Sequence, residues 1–395
     1  MEVLRLGVAG LGRGFMLTLP ALIAHPGVVL AGATDLRPEA LQRFSEEFGA
    51  PGYATLDELL QDETIDAVYI ATPHDLHAVQ TLAALRAGKH VLVEKPMATS
   101  VEDCLAMAGA AREAGLALIV GPSHGFDEQV RTAASLVASR EFGQVRMVTA
   151  LNFTDFMFRP RRPEELDPAR GGGVVFSQAA HQIDVVRRLV GSPVTGIRAV
   201  TANWDSQRPS DGAYTALMTF EGGAAASLSY SGYAHYDSDE LLGWISELGQ
   251  TKDPELYGQA RRQLARIGTE GEQSAKAART YGGDGPRSAK APHHEHFGFI
   301  IVSCEKADMK LLPTGIEIYE NERRIFHPIA PPKVPRAAVL EEFVAAVAGR
   351  PTGLHDGQWG LETMACCRAL IMSSSQGTDV DPRKIITDLQ VENFK

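Results

Sequence analysis

The fold is decided by residues 3–15, which read Val3-Leu4-Arg5-Leu6-Gly7-Val8-Ala9-Gly10-Leu11-Gly12-Arg13-Gly14-Phe15. An apolar, strand-like run enters a cluster of glycines, and a helical spacing of leucines follows as far as Ile23. Glycines at a strand-to-helix turn let the backbone approach a diphosphate, whose charge is favoured by the helix N-terminus. The stretch therefore predicts a dinucleotide-binding turn, although Phe15 stands where the third glycine of the pattern usually falls.

An acidic residue follows the next predicted strand at the distance typical of nucleotide binding. The apolar run 28–34 ends in Asp35, twenty-one residues after Gly14. A carboxylate at this position accepts hydrogen bonds from the ribose hydroxyls of an adenosine and repels a 2′-phosphate. Arg37 complicates the choice, because an arginine just beyond the strand can grip a 2′-phosphate. The predicted cofactor is NAD or NADP, with NAD favoured.

A charged pair closes another apolar run in Val93-Glu94-Lys95-Pro96. A strand of the same parallel sheet would end here at its carboxyl edge, which is where open α/β sheets bind ligands. Lys95 is then a proton donor or acceptor rather than a solubilising surface charge. The alternative is an ordinary Glu-Lys turn before Pro96. The dinucleotide pattern upstream favours the functional interpretation.

The composition limits the partners and the number of domains. A chain of 395 residues has room for two domains of ordinary size. Its 38 basic and 49 acidic residues give a formal charge of −11, which argues against nucleic acid or an anionic membrane as the main partner. The four cysteines have no CxxC spacing and are typical of buried apolar side chains in a reducing cytoplasm. The sequence shows no signal-peptide pattern at its start and no run near the ~20 apolar residues of a membrane span.

The first part of the chain alternates strand-like and helical patterns, with strands predicted near residues 3–9, 28–34, 66–71, 90–94 and 117–121. Asp35, Thr72 and Lys95 fall just past strand ends, so a parallel sheet would bring them to one crevice. Pro122 breaks this pattern. Later strands are predicted near 145–153, 195–202, 214–220, 224–230, 297–303, 308–313 and 316–320, and helices near 126–139, 178–190, 336–349 and 357–376.

These patterns predict two domains. We expect a dinucleotide-binding Rossmann domain over 1–123 and a substrate-binding and oligomerisation domain over 124–395. The second is expected to carry an insertion near 250–292, rich in Gly, Ala, Lys and Arg. That insertion is predicted to be helical at first and less ordered towards its end.

Three further motifs give the chain a family resemblance. They are Ala71-Thr72-Pro73-His74-Asp75-Leu76-His77, the run 87–96 with its Glu-Lys-Pro ending, and Gly171-Gly172-Gly173 leading to His181 and Asp184. With the glycine turn, they make the chain resemble the Gfo/Idh/MocA oxidoreductases, named for glucose-fructose oxidoreductase and inositol dehydrogenase. The resemblance implies an α/β fold in which an N-terminal Rossmann domain, with a doubly wound parallel sheet, precedes an α/β domain with a large, open, mostly antiparallel sheet. It also implies a homo-oligomer, a dimer or tetramer, and hydride transfer between nicotinamide and a secondary alcohol carbon.

The resemblance assigns roles to particular residues. Lys95 is the expected catalytic lysine, and its peptide bond to Pro96 is typically cis in the family. His181 is the expected catalytic histidine, and the two groups would share the proton of the substrate hydroxyl. The cofactor-binding residues are expected to be Gly10, Gly12, Arg13, Gly14, Phe15, Asp35, Arg37, Thr72, Pro73, His77, Glu94 and Lys95.

The segment that contains His181 departs from the family pattern at one position. Ser177, His181 and Asp184 are spaced i, i+4 and i+7, so a helix would place all three on one face. Family members usually carry an aspartate four residues before the histidine, where this chain has Ser177. That departure casts doubt on a sugar- or inositol-type mechanism. The alternative for His181 is a core histidine that is bonded to backbone.

The run 152–162, Asn-Phe-Thr-Asp-Phe-Met-Phe-Arg-Pro-Arg-Arg, gives the clearest indication of the substrate. Three phenylalanines with three arginines suit a flat ring that carries carboxylates, because a guanidinium grips a carboxylate bidentately. The alternative is that the phenylalanines are core and the arginines a solvated loop. The expected substrate-binding residues are Phe156, Arg159, Arg161, Ser177, Gln178, His181 and Asp184.

A histidine cluster, His293-His294-Glu295-His296, invites a metal interpretation. In a strand only His294 and His296 would share a face, so we predict no metal and expect the cluster to line a pocket or an oligomer contact. This cluster and the insertion resemble the branch of the family that contains phthalate 4,5-cis-dihydrodiol dehydrogenase.

The expected function is an NAD(P)-dependent dehydrogenase, acting on CH-OH or CH-CH donors, that oxidises a carboxylated aromatic cis-dihydrodiol to a catechol. One alternative is a sugar, inositol or other polyol dehydrogenase of the same family. Another is a non-catalytic dinucleotide-binding sensor, which should lack the lysine-histidine pair.

Overall fold

The computed structural model describes residues 3–284, 291–350 and 354–392. The chain forms two compact units. The first contains the described residues of 1–122, 274–287 and 334–364, and the second contains those of 123–273, 288–333 and 365–395. Residues 285–290, near the end of the predicted insertion, lie outside the described part of the chain.

A parallel sheet organises the first unit. Its strands are β1 (Leu4–Ala9), β2 (Val28–Thr34), β3 (Gly52–Tyr53), β4 (Ala67–Ile70), β5 (His90–Val93) and β6 (Leu118–Val120). Their order is β3-β2-β1-β4-β5-β6 and every pair is parallel. Most residues of β1, β4 and β5 are buried on both faces, as expected for a sheet covered by helices. The predicted Rossmann sheet is therefore confirmed.

The register of this sheet aligns the functional turns. Ala9 pairs with Thr34 on one side and with Ile70 on the other, and Ile70 pairs with Val93. The residues that follow these four positions therefore leave the sheet at the same edge. That edge is the carboxyl edge, where ligands bind in open parallel sheets.

An open sheet organises the second unit. Its strands are β7 (Val145–Phe153), β8 (Val194–Ala202), β9 (Ala213–Phe220), β10 (Ala225–Ser231), β11 (Phe299–Cys304), β12 (Asp308–Leu312), β13 (Gly315–Tyr319) and β14 (Arg324–Pro328). The order is β14-β13-β12-β11-β7-β10-β9-β8. Only the β7–β10 pair is parallel among the described strands of this sheet. In β9, buried Tyr214, Ala216 and Met218 alternate with exposed residues, which is the pattern of a sheet with one solvent face.

The helices are α1 (Arg13–Ala24), α2 (Pro38–Phe48), α3 (Leu56–Gln61), α4 (His77–Arg86), α5 (Val101–Ala114), α6 (Glu128–Ala138), α7 (Ala180–Val190), α8 (Gln259–Ala277), α9 (Ala337–Val347), α10 (Gly357–Gln376) and α11 (Pro382–Glu392). The predicted insertion is helical in α8, which kinks at Gly268. None of the helices in the described ranges is both long enough and apolar enough to span a membrane.

The helix predicted from residue 178 begins differently. Residues Val175–Ala179 form a π-helical turn, and the α-helix α7 starts only at Ala180. A π turn holds one residue more than an α turn, so Ser177 does not have the simple i, i+4 relation to His181 that the sequence predicts. Ser177 donates instead from its hydroxyl to the carbonyl oxygen of Gly173, at 2.5 Å.

Candidate active site

The glycine turn after β1 has the shape of an anion cradle. Gly10 has a φ of 91°, and a Cβ there would lie 2.9 Å from the carbonyl oxygen of Ala71. Gly12 is the N-cap of α1 and, as a glycine, makes no side-chain cap hydrogen bond to that helix. The free N–H groups and the helix dipole at this end favour a negative charge. The turn therefore fits the diphosphate of NAD.

Gly14 is needed for a different contact. A Cβ at Gly14 would lie 2.8 Å from Oε1 of Glu94, the residue that follows β5. The same carboxylate oxygen accepts a 2.6 Å hydrogen bond from the hydroxyl of Tyr69. Burial raises the pKa of Glu94, while the nearby Arg336 acts in the opposite direction. The Glu94 side chain thus packs against the glycine turn at Gly14.

Asp35 and Arg37 form a closed pair at the end of β2. Asp35 Oδ2 accepts from the backbone N–H of Leu11 at 2.7 Å, and Oδ1 accepts from Nε of Arg37 at 2.9 Å. Burial acts to raise the pKa of Asp35, but the hydrogen bonds from Arg37 and Leu11 outweigh it and lower that pKa. The carboxylate is therefore charged at neutral pH, as the ribose interpretation requires.

Arginines concentrate positive charge near the start of α1. Burial, together with the charges of Arg279 and Arg336, lowers the pKa of Arg13. Like charges that crowd one another are relieved by an anion. Arg13 is the first residue of α1, so this positive field lies at the end of the helix that a diphosphate would face.

His77 links the two motifs at the other strand ends. Its ring nitrogens lie 2.8 Å from the carbonyl oxygen of Pro96 and 3.0 Å from that of Thr72. The side chain is fully buried, and burial lowers its pKa although the two carbonyls act in the opposite direction. We therefore interpret His77 as a positioning residue for the Thr72 and Lys95 segments. The Lys95–Pro96 peptide bond is cis, as the resemblance implies.

The Phe15 side chain lies in the core of the first unit. It is fully buried, 5.4 Å from the ring of Tyr281 and 6.3 Å from that of Phe44. Its side chain therefore packs inside the protein, and only the backbone of Phe15 stays a proposed contact for the cofactor.

In the second unit His181 and Asp184 meet a residue that the sequence analysis missed. The hydroxyl of Ser123 donates to Asp184 Oδ2 at 2.6 Å and lies 3.3 Å from Nδ1 of His181. The backbone N–H of Gly125 also donates to Asp184, at 3.1 Å. His181 and Asp184 are both buried. This arrangement fixes the His181 ring against the 123–125 segment.

Next to His181 lies a buried ion pair. The rings of His124 and His181 are 4.8 Å apart, and His124 contacts Asp127 at 2.7 Å and Glu247 at 3.6 Å. Burial alone would lower the pKa of His124, but Asp127 and Glu247 raise it to about 10. Burial would likewise raise the pKa of Glu247, but His124 and Arg159 lower it to about 2. His124 is therefore an imidazolium at neutral pH.

Three residues that are predicted to bind the ring and the carboxylate of the substrate, Phe156, Arg159 and Arg161, lie together. The guanidinium of Arg161 stacks 3.5 Å from the centroid of the Phe156 ring, and its Nη2 donates to the Phe156 carbonyl at 2.7 Å. Arg159 contacts Asp155 at 3.0 Å and Glu247 at 3.9 Å, so its charge is balanced.

The charge of Arg161 is less well balanced by neighbouring carboxylates than the charge of Arg159. Burial, followed by the charges of Arg159 and Arg208, lowers its pKa to about 10 despite the opposing charge of Glu165. Its Nε is buried and lacks a hydrogen-bond partner in the described part of the chain. Gln178 has a similar atom, because its buried Oε1 makes no hydrogen bond to any described residue. Each of these side chains thus has one polar atom that makes no hydrogen bond to the described part of the protein.

The histidine cluster has other partners. The Nε2 atoms of His294 and His296 lie 2.7 Å from the carbonyl oxygen of Ala330 and 2.9 Å from that of Ile245, respectively. Burial lowers the pKa of His296 to about 4. Glu295 does lie close to the His124–Asp127 pair, with all three ligand atoms within 4.8 Å of one another. The His124–Asp127 hydrogen bond accounts for the proximity of those two residues.

The sequence signal for Ser123 and His124 was present but unused. They follow β6 after Gly121 and Pro122, just as Asp35 follows β2 and Glu94 follows β5. Pro122 interrupts the periodicity of the sequence at this point, which hides the signal. Thr280 and Tyr281, which contact Arg37, carry no comparable local signal.

Comparison with known proteins agrees with this geometry. Residues 4–122 match the oxidoreductase family with the NAD-binding Rossmann fold, and residues 130–249 match the Gfo/Idh/MocA C-terminal domain. The fold and the glycine turn thus define an NAD-binding oxidoreductase. The chain belongs to the Gfo/Idh/MocA family.

Three relatives show the range of that family. A 1-carboxy-3-chloro-3,4-dihydroxycyclohexa-1,5-diene dehydrogenase of Comamonas testosteroni is 41% identical over 93% of this chain and 94% of its own. A D-xylose 1-dehydrogenase (NADP(+)) of Haloferax volcanii is 30% identical over 57% of this chain and 68% of its own. A solved structure from Bordetella bronchiseptica, described as a dehydrogenase, has a TM-score of 0.91 and 37% identity, with 96% of this chain and 100% of that one covered.

Proposed function

We propose that this protein oxidises a carboxylated cis-dihydrodiol to a catechol with NAD as the oxidant. The observation that carries the proposal is Arg161, whose guanidinium stacks on the Phe156 ring and whose buried Nε has no hydrogen-bond partner among the described residues. A planar ring with a carboxylate supplies both a stacking surface and a counter-charge for such a group. The name of the Comamonas testosteroni relative, a carboxylated dihydroxycyclohexadiene dehydrogenase, supports this class of substrate.

The proposed chemistry separates a hydride from a proton. Bound NAD supplies the acceptor for the hydride from the carbinol carbon. Lys95 and His181 are the groups that we propose to receive the hydroxyl proton, and Ser123 with Asp184 holds the His181 ring. A neighbouring ammonium or imidazole N–H also stabilises the oxygen as negative charge develops on it. The aromatic product favours the oxidation.

Thr72, Pro73 and Glu94 are proposed cofactor residues, and Gln178 is a proposed substrate residue. Thr72 and Glu94 follow β4 and β5 at the carboxyl edge that also carries the glycine turn. The buried, unsatisfied Oε1 of Gln178 is an acceptor for a substrate hydroxyl. Ser177 is the weakest of the proposed substrate residues, because its hydroxyl already donates to Gly173.

We further propose a cytoplasmic homo-oligomer, a dimer or tetramer. The solvent face of the second sheet carries exposed apolar side chains, among them Met147, Val200, Leu217, Tyr319 and Phe326. The pairings Arg198–Leu217 and Val200–Thr215 place neighbouring exposed residues on the same face. An apolar face of this kind is suited to burial against a second copy.

A polyol dehydrogenase of the same family is the second candidate. The D-xylose dehydrogenase among the relatives supports it. The residue at position 177 is a serine whose hydroxyl is occupied, so no carboxylate is available there for sugar hydroxyls. A non-catalytic sensor is the remaining candidate, and it would bind the cofactor without turnover.

The proposal is tested by absorbance at 340 nm with NAD and a panel of carboxylated cis-dihydrodiols, uncarboxylated cis-dihydrodiols and polyols. We expect turnover of the carboxylated compounds, lost by at least about a thousandfold in Lys95→Ala. Arg161→Met should raise KM for the carboxylated diols by about tenfold or more and leave their uncarboxylated analogues unaffected. Preference for polyols, or an equal effect of Arg161→Met on both diol classes, would contradict the assignment.

A further inference from the structure

Arg37 has no free hydrogen-bond donor in this structure. A guanidinium offers five N–H donors, and Arg37 uses them as follows. Nε donates to Asp35 Oδ1 at 2.9 Å; Nη2 donates to Asp35 Oδ2 at 3.0 Å and to the Leu11 carbonyl at 2.9 Å. Nη1 donates to the Thr280 hydroxyl at 2.6 Å and to the Tyr281 carbonyl at 3.0 Å. Two of these five partners come from a segment more than 240 positions away in the chain.

The segment that supplies these partners is itself firmly held. The Thr280 hydroxyl accepts from Arg37 while it donates to the carbonyl of Ala277 at 2.7 Å. The backbone N–H of Tyr281 donates to the carbonyl of Leu11 in the glycine turn, at 3.1 Å. Its phenol donates to Glu47 at 2.8 Å, and its buried ring packs edge-on to Phe15 at 5.4 Å. The position of the Nη1 partners is therefore fixed by the core of the first unit.

We propose that Thr280 and Tyr281 are specificity-determining residues for the cofactor, because they hold Arg37 on Asp35 and so select NAD over NADP. An arginine at this point of the chain is the group that would otherwise neutralise a 2′-phosphate. Held in this way it serves the carboxylate instead. The open choice between NAD and NADP that Arg37 creates in the sequence is thus decided by residues from the second half of the chain.

The hydrogen bonds from Arg37 to Thr280 and Tyr281 become more important when the ribose of the cofactor binds to Asp35. The two oxygens of Asp35 accept four hydrogen bonds, from the N–H groups of Leu11 and Arg37 and from two guanidinium nitrogens. A carboxylate has about four lone-pair sites, so a ribose diol must displace the guanidinium from some of them. The Nη1 bonds to Thr280 and Tyr281 then keep the displaced arginine from turning towards the 2′ position. The charged carboxylate continues to repel a 2′-phosphate.

The test is a fluorescence titration of the full-length protein with NADH and with NADPH, which needs no substrate and is independent of the proposed activity. The wild type should bind NADH more tightly. Thr280→Val removes one Nη1 acceptor at constant shape, and Thr280→Ser keeps it. We expect the Kd ratio of NADPH to NADH to fall about fivefold in Thr280→Val and to stay unchanged in Thr280→Ser. The double variant Thr280→Val, Tyr281→Ala should lower the ratio further.

A substitution of Arg37 tests whether this residue causes the gain in NADPH affinity. Adding Arg37→Gln to Thr280→Val should restore the high ratio, because the gain in NADPH affinity depends on the released guanidinium. Thermal unfolding of each variant confirms that it is folded. The proposal is overturned if Thr280→Val leaves the ratio unchanged. It is also overturned if Arg37→Gln alone selectively weakens NADPH, because Arg37 would then already serve the 2′-phosphate in the wild type.

Discussion

Gly12 and Gly14 stand two positions apart, but a side chain would meet different obstacles at the two positions. At Gly12 a Cβ would meet only the Ala71 carbonyl oxygen, at an ordinary 3.6 Å, so the protein itself leaves room for a side chain. At Gly14 a Cβ would meet Glu94 Oε1 at 2.8 Å, and Tyr69 restrains that carboxylate. One glycine is therefore kept for the ligand and the other for internal packing.

This difference predicts opposite effects for two similar substitutions. Gly14→Ala should lower the unfolding free energy of the cofactor-free protein by about 1–3 kcal/mol, because a restrained buried group must move. Gly12→Ala should leave the melting temperature nearly unchanged, yet weaken NADH binding at least about tenfold by obstructing the approach of the diphosphate. Thermal unfolding without cofactor and a fluorescence titration measure the two effects. An unaltered melting temperature in Gly14→Ala would argue against the Glu94 contact as the reason for that glycine.

The 123–127 segment carries site residues that no pattern in the sequence reveals. It supplies Ser123 to the His181–Asp184 pair and His124 to the ion pair with Glu247. The imidazolium of His124 lies beside His181, so this element sets the local charge as well as the geometry. The stability of the folded protein should depend on pH because this element carries the charged His124.

The pH dependence follows from the two displaced pKa values. His124 has a pKa of about 10 against an ordinary 6.5, and its contribution to stability is complete below pH 6.5 and lost as the pH rises towards 10. Glu247 has a pKa of about 2 against 4.5, and its contribution is complete above pH 4.5 and lost as the pH falls towards 2. The pair therefore stabilises most between pH 4.5 and 6.5.

Urea unfolding of the wild type and of His124→Gln checks this expectation. The wild type should exceed the variant in unfolding free energy most at about pH 5.5, and the difference should shrink by at least about 1 kcal/mol by about pH 9.5. His235→Gln, at an exposed histidine of the same unit, is the control for the loss of an imidazole elsewhere in that unit. A difference for His124→Gln that stayed constant with pH would mean that folding does not raise the pKa of His124.

At the scale of elements, strong periodicity was predictable and short or unusual elements were not. The apolar runs of β1, β2, β4 and β5 appear within one or two residues of their predicted positions. The two-residue β3 is too short to give a pattern, and β14 combines an arginine, a histidine and a proline on a mostly exposed strand. The π turn before α7 preserves helical composition while it changes the register, so no periodicity reveals it.

Some residues of the candidate site could be predicted from the sequence and others could not. Residues that follow a strand, such as Asp35 and Lys95, were predictable because the ends of parallel strands share one edge. The partners of Arg37 were not, because Thr280 and Tyr281 reach it through contacts between distant parts of the chain. In the conspicuous histidine cluster, the side chains of His294 and His296 prove to be bonded to backbone carbonyls, and the sequence does not reveal these partners.

At the scale of the whole molecule, the solvent face of the second sheet predicts association. Leu217 is 50% exposed at the middle of β9, and Leu217→Arg should shift the protein to a smaller species in light scattering coupled to size exclusion. A buried charge without a partner is costly at an interface. Val79→Arg, which alters an exposed valine of α4 in the first unit, is the matched control. A single unaltered mass for Leu217→Arg would remove this face as the contact.

The first unit is assembled from three separate stretches of the gene. Tyr281 packs against Phe15 in its core, and Ile119 of its last strand bridges to Asp356. Cutting the coding sequence after codon 122 would therefore uncover aromatic surface and leave an edge strand without this bridge. Recombination that exchanges the amino-terminal third between relatives would also exchange the glycine turn without the Thr280–Tyr281 segment that contacts it. Inheritance of cofactor preference in this lineage should accordingly follow the start of the gene and the codons around 280 together, and chimaeras built from the front alone should lose it.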